Sequence, residues 1–328
     1  MRSLHDAAEV AERIRRGETL LIAGDEALLR ALPEGKWIGG TIPYFMTETG
    51  VVFSHEQLHV VALPDTVHSV RTRAYTAADL PEIPKDYPRN GASLIVMPSH
   101  SEVHRTFARD CSSYRGIFDR PLMGWVSGID LEESGTSTPK AIDGGSGVLW
   151  EDRAVVLHFE LPEGVHAEVD TVNVFEQGDG DTITFPKTTF EVTACFVNGE
   201  PRRFSDYLSQ HGIDTRLPLV ADYMGARVNV SFRSIDLVHG KVELYAPVFP
   251  FVRYRIAKPV ADFHRALAEE LARRNLRPIY GCNCIHNYVH GDLEGKQIGD
   301  IVGPFTFGEV AYMLLNQTMV YLTIVPDG

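Results

Sequence analysis

Gly281-Cys-Asn-Cys-Ile-His-Asn-Tyr-Val-His290 gathers two of the chain's four cysteines and two of its histidines into ten residues. How this stretch folds decides the C-terminal half. Its apolar approach, Leu276-Arg-Pro-Ile-Tyr280, reads as the start of a short buried strand. If that strand runs on, its period of two puts Cys282, Cys284 and His286 on one face, with Asn283 and Ile285 on the other. Three readings of that face stay open. Sulfur and nitrogen ligands suit zinc or another transition metal, and His290 would close the set of Cys282, Cys284 and His286. A thiol beside an imidazole is also the arrangement of a cysteine nucleophile, with His286 or Glu309 as base. Small thiols on a buried strand are equally ordinary core residues, because free cysteine is among the most buried residue types.

Working outward, Pro259 opens a helix with an apolar stripe of Val260, Phe263, Leu267 and Leu271, which delivers the chain into this strand. The terminal run Met319-Val-Tyr-Leu-Thr-Ile324 reads as the last strand. At the other end, Ser3 to Arg16 reads as a surface helix with Ser3 as N-cap and Gly17 just past its end. Runs at 20–23, 50–53, 58–63, 92–97, 121–126 and 153–159 read as strands, with a short helix through Ala27 to Leu32 and another from about Ser101 to Asp110. The Gly, Ser and Thr-rich segment 127–147 is a loop long enough to be functional. Beyond about Val165 the pattern turns extended, with strands at 169–175, 182–185 and 190–197 divided by Asp179-Gly180 and Asn198-Gly199 turns. A short helix over 204–210 follows, then a hairpin of 227–235 with 241–246. These elements imply a mixed α/β (α+β) protein of two domains, 1–185 and 186–328. Each consists of mixed sheets flanked by helices, and the second is richer in strands.

Composition narrows the functions. With 328 residues, 44% of them hydrophobic, the chain is long enough for a sizeable core. Its 31 basic and 44 acidic residues give a net charge of -13, which excludes nucleic acid and an anionic membrane as main partners. The start, Met1-Arg-Ser-Leu-His-Asp6, reads as the lead into an amphipathic segment and not as a secretory signal, so a cytoplasmic location and reduced thiols are expected. Walker, Gly-x-Gly-x-x-Gly and nucleophile-elbow signatures are absent. His100 and His104 share a face of their expected helix, but lack the zinc-protease order and read as structural or solvated. Glu309 is the sharper clue. A carboxylate within an apolar stretch must find a partner or face a cavity. Asn316 and Thr318 suit either a ligand contact or a turn anchor.

The C-terminal elements also form an ordered series: a helix, a strand ending in cysteine, a variable loop, Gly303-Pro-Phe-Thr-Phe-Gly-Glu309, and Asn316-Gln-Thr-Met319 before the last strand. This series resembles the C-terminal domain of the FIST sensory family. Met123-Gly-Trp-Val-Ser-Gly128, the Gly144 to Gly147 turn, the strand at 154–159 and Gly39-Gly-Thr-Ile42 resemble segments of that family's N-terminal domain, with Gly40 where relatives have cysteine. The resemblance implies a small-molecule sensor, for which amino acids are suggested ligands and haem is bound by some members. It implies a pocket where Cys282, Cys284 and His286 meet Phe307, Glu309, Asn316 and Thr318. The expected function is therefore a cytoplasmic small-molecule-binding sensory protein. The alternative is a cysteine-dependent enzyme or a metal- or haem-binding protein using the Cys-x-Cys-x-His stretch, with haem or zinc as the cofactor. Expected partners are the ligand, a separate signalling protein in the absence of a fused output region, and a second copy in a homodimer.

Overall fold

The computed structural model describes residues 2–133, 136–223, 225–274 and 278–327. Strand, at 42%, outweighs helix, at 19%, and the helices flank mixed sheets, so the class is mixed α+β. Among the described residues no helix is long and apolar enough to cross a membrane.

A central six-stranded sheet organises the molecule, in the order Met313–Leu315, Glu309–Ala311, Leu122–Ser127, Gly91–Pro98, Ala154–Glu160, Ser69–Tyr75. Gly91–Pro98 runs parallel to Leu122–Ser127, and helix Glu102–Asp110 makes the crossover between them. All eight residues of Gly91–Pro98 are buried, because both faces of this sheet are covered. Leu94, Val96, Met123 and Trp125 point into one core. Ile95, Met97, Leu122 and Val126 point into the other, which takes in helix Glu102–Asp110 and the strands of the C-terminal β region.

Two further sheets share the first face. One is N-terminal, with the parallel pair Leu20–Gly24 and Trp37–Thr41 at its middle. The other runs Val165–Val172, Met319–Pro326, Tyr280–Cys284, Gly303–Thr306, Tyr44–Thr47, Gly50–Phe53. The N-terminal sheet lies so close to the central one that a Cβ on Gly40 would stand 2.7 Å from the Trp125 ring and 2.8 Å from Val96. Space is the physical reason for glycine there.

Strands from both sides of residue 185 share sheets. The hairpin of Tyr44–Thr47 and Gly50–Phe53 extends the sheet that holds Tyr280–Cys284, while Glu309–Ala311 joins the central sheet with Val310 opposite Gly124. The C-terminal motifs therefore pack into the middle of the molecule.

Local differences from the sequence reading have local causes. The first helix spans Ala7–Arg15 with Asp6 at its N-cap, because Leu4–His5 pairs as a strand with Leu58 and His59. Ser3 instead donates its hydroxyl to Glu48, at 2.7 Å. The long helix spans Phe263–Arg274 and begins after Pro259, with the Arg265 N–H donating to Asp262 Oδ1 at 2.9 Å. The expected strand start at Leu276 and Arg277 lies outside the described residues; Tyr280–Cys284 is a strand. That strand stops at Cys284, which is the N-cap of a helix, Ile285–Gly291. Asn283 Oδ1 anchors the corner by accepting the Cys284 N–H at 2.9 Å and the Asn287 side-chain amide at 2.8 Å. His100 precedes its helix, in a left-handed conformation at φ 61°.

Candidate functional site

Cys282 and Cys284 share a strand face, as their spacing requires, and both are buried. The Cys282 thiol donates to the Gly124 carbonyl of the central sheet at 3.4 Å, and the Cys284 thiol faces the carboxyl of Glu309. Burial, with the Glu309 charge added, pushes both thiols well above their usual range. That is opposite to the depressed pKa of an activated nucleophile, so the expected cysteine chemistry lacks its physical basis here.

Glu309 is fully buried and has found partners. Thr318 donates its hydroxyl to Oε2 at 3.0 Å and its N–H at 3.3 Å, and Thr306 Oγ1 lies 3.1 Å from Oε1. Burial raises its pKa to about 8. Thr318 is thus an anchor for Glu309. The Asn316 side-chain amide donates to the Leu315 carbonyl at 2.9 Å. Together these groups form a polar plug in the core.

His286 and His290 stand elsewhere, because a helix replaces the expected strand extension. Four residues apart on Ile285–Gly291, they meet edge to face with ring centroids 5.3 Å apart, and His286 meets Tyr245 at 4.6 Å. Burial, with a contribution from His290, pushes His286 down to about 3; burial and Arg216 lower His290. Both rings are therefore uncharged at neutral pH. The four expected metal ligands split into two pairs that face different neighbours, and among the described residues no group of three or more His, Cys, Asp or Glu is placed to hold a metal ion.

The histidine pair opens on a cleft of about 350 Å³ lined also by Arg216, Arg233, Tyr245 and Phe307. Arg216 is held by Asp214 at 2.7 Å, and Arg233 lies 3.7 Å from Glu243. Arg233, Tyr245 and Phe307 continue into an annex of about 20 Å³ reached by His100 and His104, room for about one water-sized group. There the His100 N–H donates to His104 Nδ1 at 3.2 Å, which puts the proton of the neutral ring on Nε2. Burial holds His104 at about 3, and its buried Nε2–H has no partner among the described residues. The wall of this cleft is thus rich in N–H donors.

A second cleft, of about 410 Å³, lies at the carboxyl ends of Leu20–Gly24, Trp37–Thr41 and Leu122–Ser127, where part of the 127–147 loop closes over it. His55 bridges Asp25, at 2.9 Å from Nδ1, and Asp130, at 3.2 Å from Nε2. Its hydrogen bond to Asp25, backed by Asp130, raises its pKa. With both ring nitrogens engaged, His55 acts as a clip between the two carboxylates.

The sequence reading placed His286 and Phe307 in one pocket with Cys282, Cys284, Glu309, Asn316 and Thr318. Of these only His286 and Phe307 line the cleft beside helix Ile285–Gly291, together with His290, Arg216, Arg233 and Tyr245, which that pocket did not include. Arg216, Arg233 and Tyr245 come from separate segments and belong to no local motif. The same holds for His55, whose partners are 30 and 75 residues away.

No curated protein matches the chain. A family model matches residues 5–325, nearly its whole length, and the description of that family is a family of unknown function. The chain therefore belongs to that family, DUF6976.

Proposed function

We propose that this protein binds a small anionic molecule, of the carboxylate class, in the cleft beside helix Ile285–Gly291, and that it does so as a sensor. One observation carries the reading. In a chain with a net charge of -13, Arg233 and two neutral histidines converge on one cleft of about 350 Å³, joined by Arg216, whose charge is shared with Asp214. Guanidinium groups give a carboxylate its strongest hydrogen bonds, neutral imidazole N–H groups add donors without repulsion, and Phe307 and Tyr245 supply an apolar wall. The resemblance to FIST sensory proteins supports a ligand-binding role over a catalytic one.

A thermal-shift panel tests it. A carboxylate ligand at 100 times its dissociation constant adds about 2.7 kcal/mol of stability. Benzoate and acidic amino acids are expected to raise the melting temperature saturably, while benzylamine of similar shape does not. Equal shifts from benzoate and benzylamine, or none from any carboxylate, would remove the reading.

A further inference from the structure

On the other side of helix Ile285–Gly291 lies a separate cleft of about 280 Å³. Part of its wall is apolar, formed by Leu217, Pro259, Val260, and the ring pair Phe175 and Phe263, whose centroids are 5.8 Å apart; Asp214, Arg216, Asn287, His290 and Gln317 also line it. The charged groups on it cancel, since Arg216 holds Asp214 through three contacts of 2.7 to 3.1 Å. Gln317 is satisfied at both ends of its amide, accepting the Ser231 hydroxyl at 2.7 Å and donating to the Arg216 carbonyl at 3.1 Å.

Asn287 is not. It lines this cleft, is 2% exposed, and donates its side-chain N–H to Asn283 Oδ1 at 2.8 Å. Its own Oδ1 is buried with no partner among the described residues. The orientation of this amide is fixed. Asn283 Oδ1 also accepts the Cys284 N–H, so Asn283 presents an acceptor to Asn287, and Asn287 must answer with its nitrogen. A buried acceptor left unpaired in a residue that lines a cavity is unfavourable and gains from a donor able to reach it.

We infer that this cleft is a second binding site, for a small neutral molecule that is apolar over most of its surface and carries one O–H or N–H donor for Asn287 Oδ1. The phenyl walls favour a flat aromatic body, and the cancelled charges disfavour an ion. The site stands independently of the anion cleft, although Arg216 and His290 line both.

Phenol and toluene form the test pair, because they share shape and differ in the donor. In an NMR titration that follows the methyl groups of Leu217 and Val260, phenol is expected to bind saturably and about tenfold more tightly than toluene. Asn287→Ala should abolish that preference. Because Asn287 also holds Asn283, a second variant, Val260→Trp, fills the cleft from its outer wall and should abolish phenol binding with that pair intact. Phenol binding no tighter than toluene in the wild type, absence of phenol binding, or phenol binding retained in Val260→Trp would overturn the inference. Arg233→Ala separates it from the anion reading, since it should weaken benzoate and leave phenol unchanged.

Discussion

Thr306 and Glu309 share a hydrogen bond that works in either direction. Thr306 Oγ1 lies 3.1 Å from Glu309 Oε1 and 3.2 Å from the carbonyl oxygens of both Asn283 and Gly308. When Glu309 is ionised, Thr306 donates to it. When Glu309 is protonated, its O–H donates to Thr306 Oγ1, whose own hydroxyl hydrogen turns to donate to a backbone carbonyl. Thr318 donates to Oε2 in both cases, so the buried carboxyl is satisfied in each state.

That arrangement gives Glu309 a pH-dependent contribution to stability. The folded carboxyl keeps its proton up to about 8, whereas the unfolded one releases it near 4.5. The folded state therefore binds more protons across that window. The contribution of Glu309 to stability falls as pH rises from 4.5 to 8 and is flat outside that window, with a slope of about 1.4 kcal/mol per pH unit. Glu309→Gln mimics the neutral acid, so its stability relative to the wild type should grow by that slope between pH 5 and 8 in urea denaturation. A difference that does not change with pH would show that Glu309 is ionised in the fold.

Four buried histidines act with the opposite sign. His59, His104 and His286 are held at about 3 and His158 at about 4, all chiefly by burial, against 6.5 in the unfolded chain. The unfolded state then binds more protons, so their contribution is complete above pH 6.5 and is lost as pH falls below it. Four such groups opposed by Glu309 leave a net loss of about 4 kcal/mol per pH unit between 6 and 5. Denaturation midpoints measured at pH 7, 6 and 5 should drop steeply in the last step; a constant midpoint would contradict the neutral assignment.

All four cysteines are buried, and burial raises every thiol. Alkylation by iodoacetamide at pH 7.5, read by intact mass, should therefore be negligible in native buffer and complete in guanidinium. Rapid single labelling at Cys282 or Cys284 in the native protein would restore the nucleophile reading.

Gly40→Ala should cost about 1 to 3 kcal/mol by overpacking, since its Cβ meets Trp125, Val96 and Ser127 within 3.0 Å. Gly180→Ala, with nothing within 4 Å of its Cβ, serves as the control and should stay within about 0.5 kcal/mol. Equal effects at both positions would mean that the two sheets are not in close contact at Gly40.

Much of the fold was legible because hydrophobic periodicity is local. Gly91–Pro98, helix Phe204–Gln210 and the Asn198-Gly199 hairpin lie close to where their residues place them, the last with both turn residues at positive φ. Short strands such as Tyr44–Thr47, Gly303–Thr306 and Glu309–Ala311 were not legible, since pairing partners far away in sequence make them strands. His286 was misplaced for a related reason. Nothing in a period of two announces that Asn283 will accept from both the Cys284 N–H and Asn287 and turn the strand into a helix. Glu309 was readable as a residue needing a partner, but the partners Thr306 and Thr318 are defined by the packed sheets. The arginines of the cleft left no trace in sequence.

Calorimetric titration of benzoate at pH 7 into the wild type, Arg233→Ala and Arg202→Ala tests the anion cleft most directly. Arg233 lines the cleft, and Arg202, on the exposed strand Glu200–Arg203, does not. The expected result is saturable binding by the wild type and by Arg202→Ala, weakened about tenfold or more in Arg233→Ala. Absence of binding to the wild type, or equal affinity in all three proteins, would contradict it.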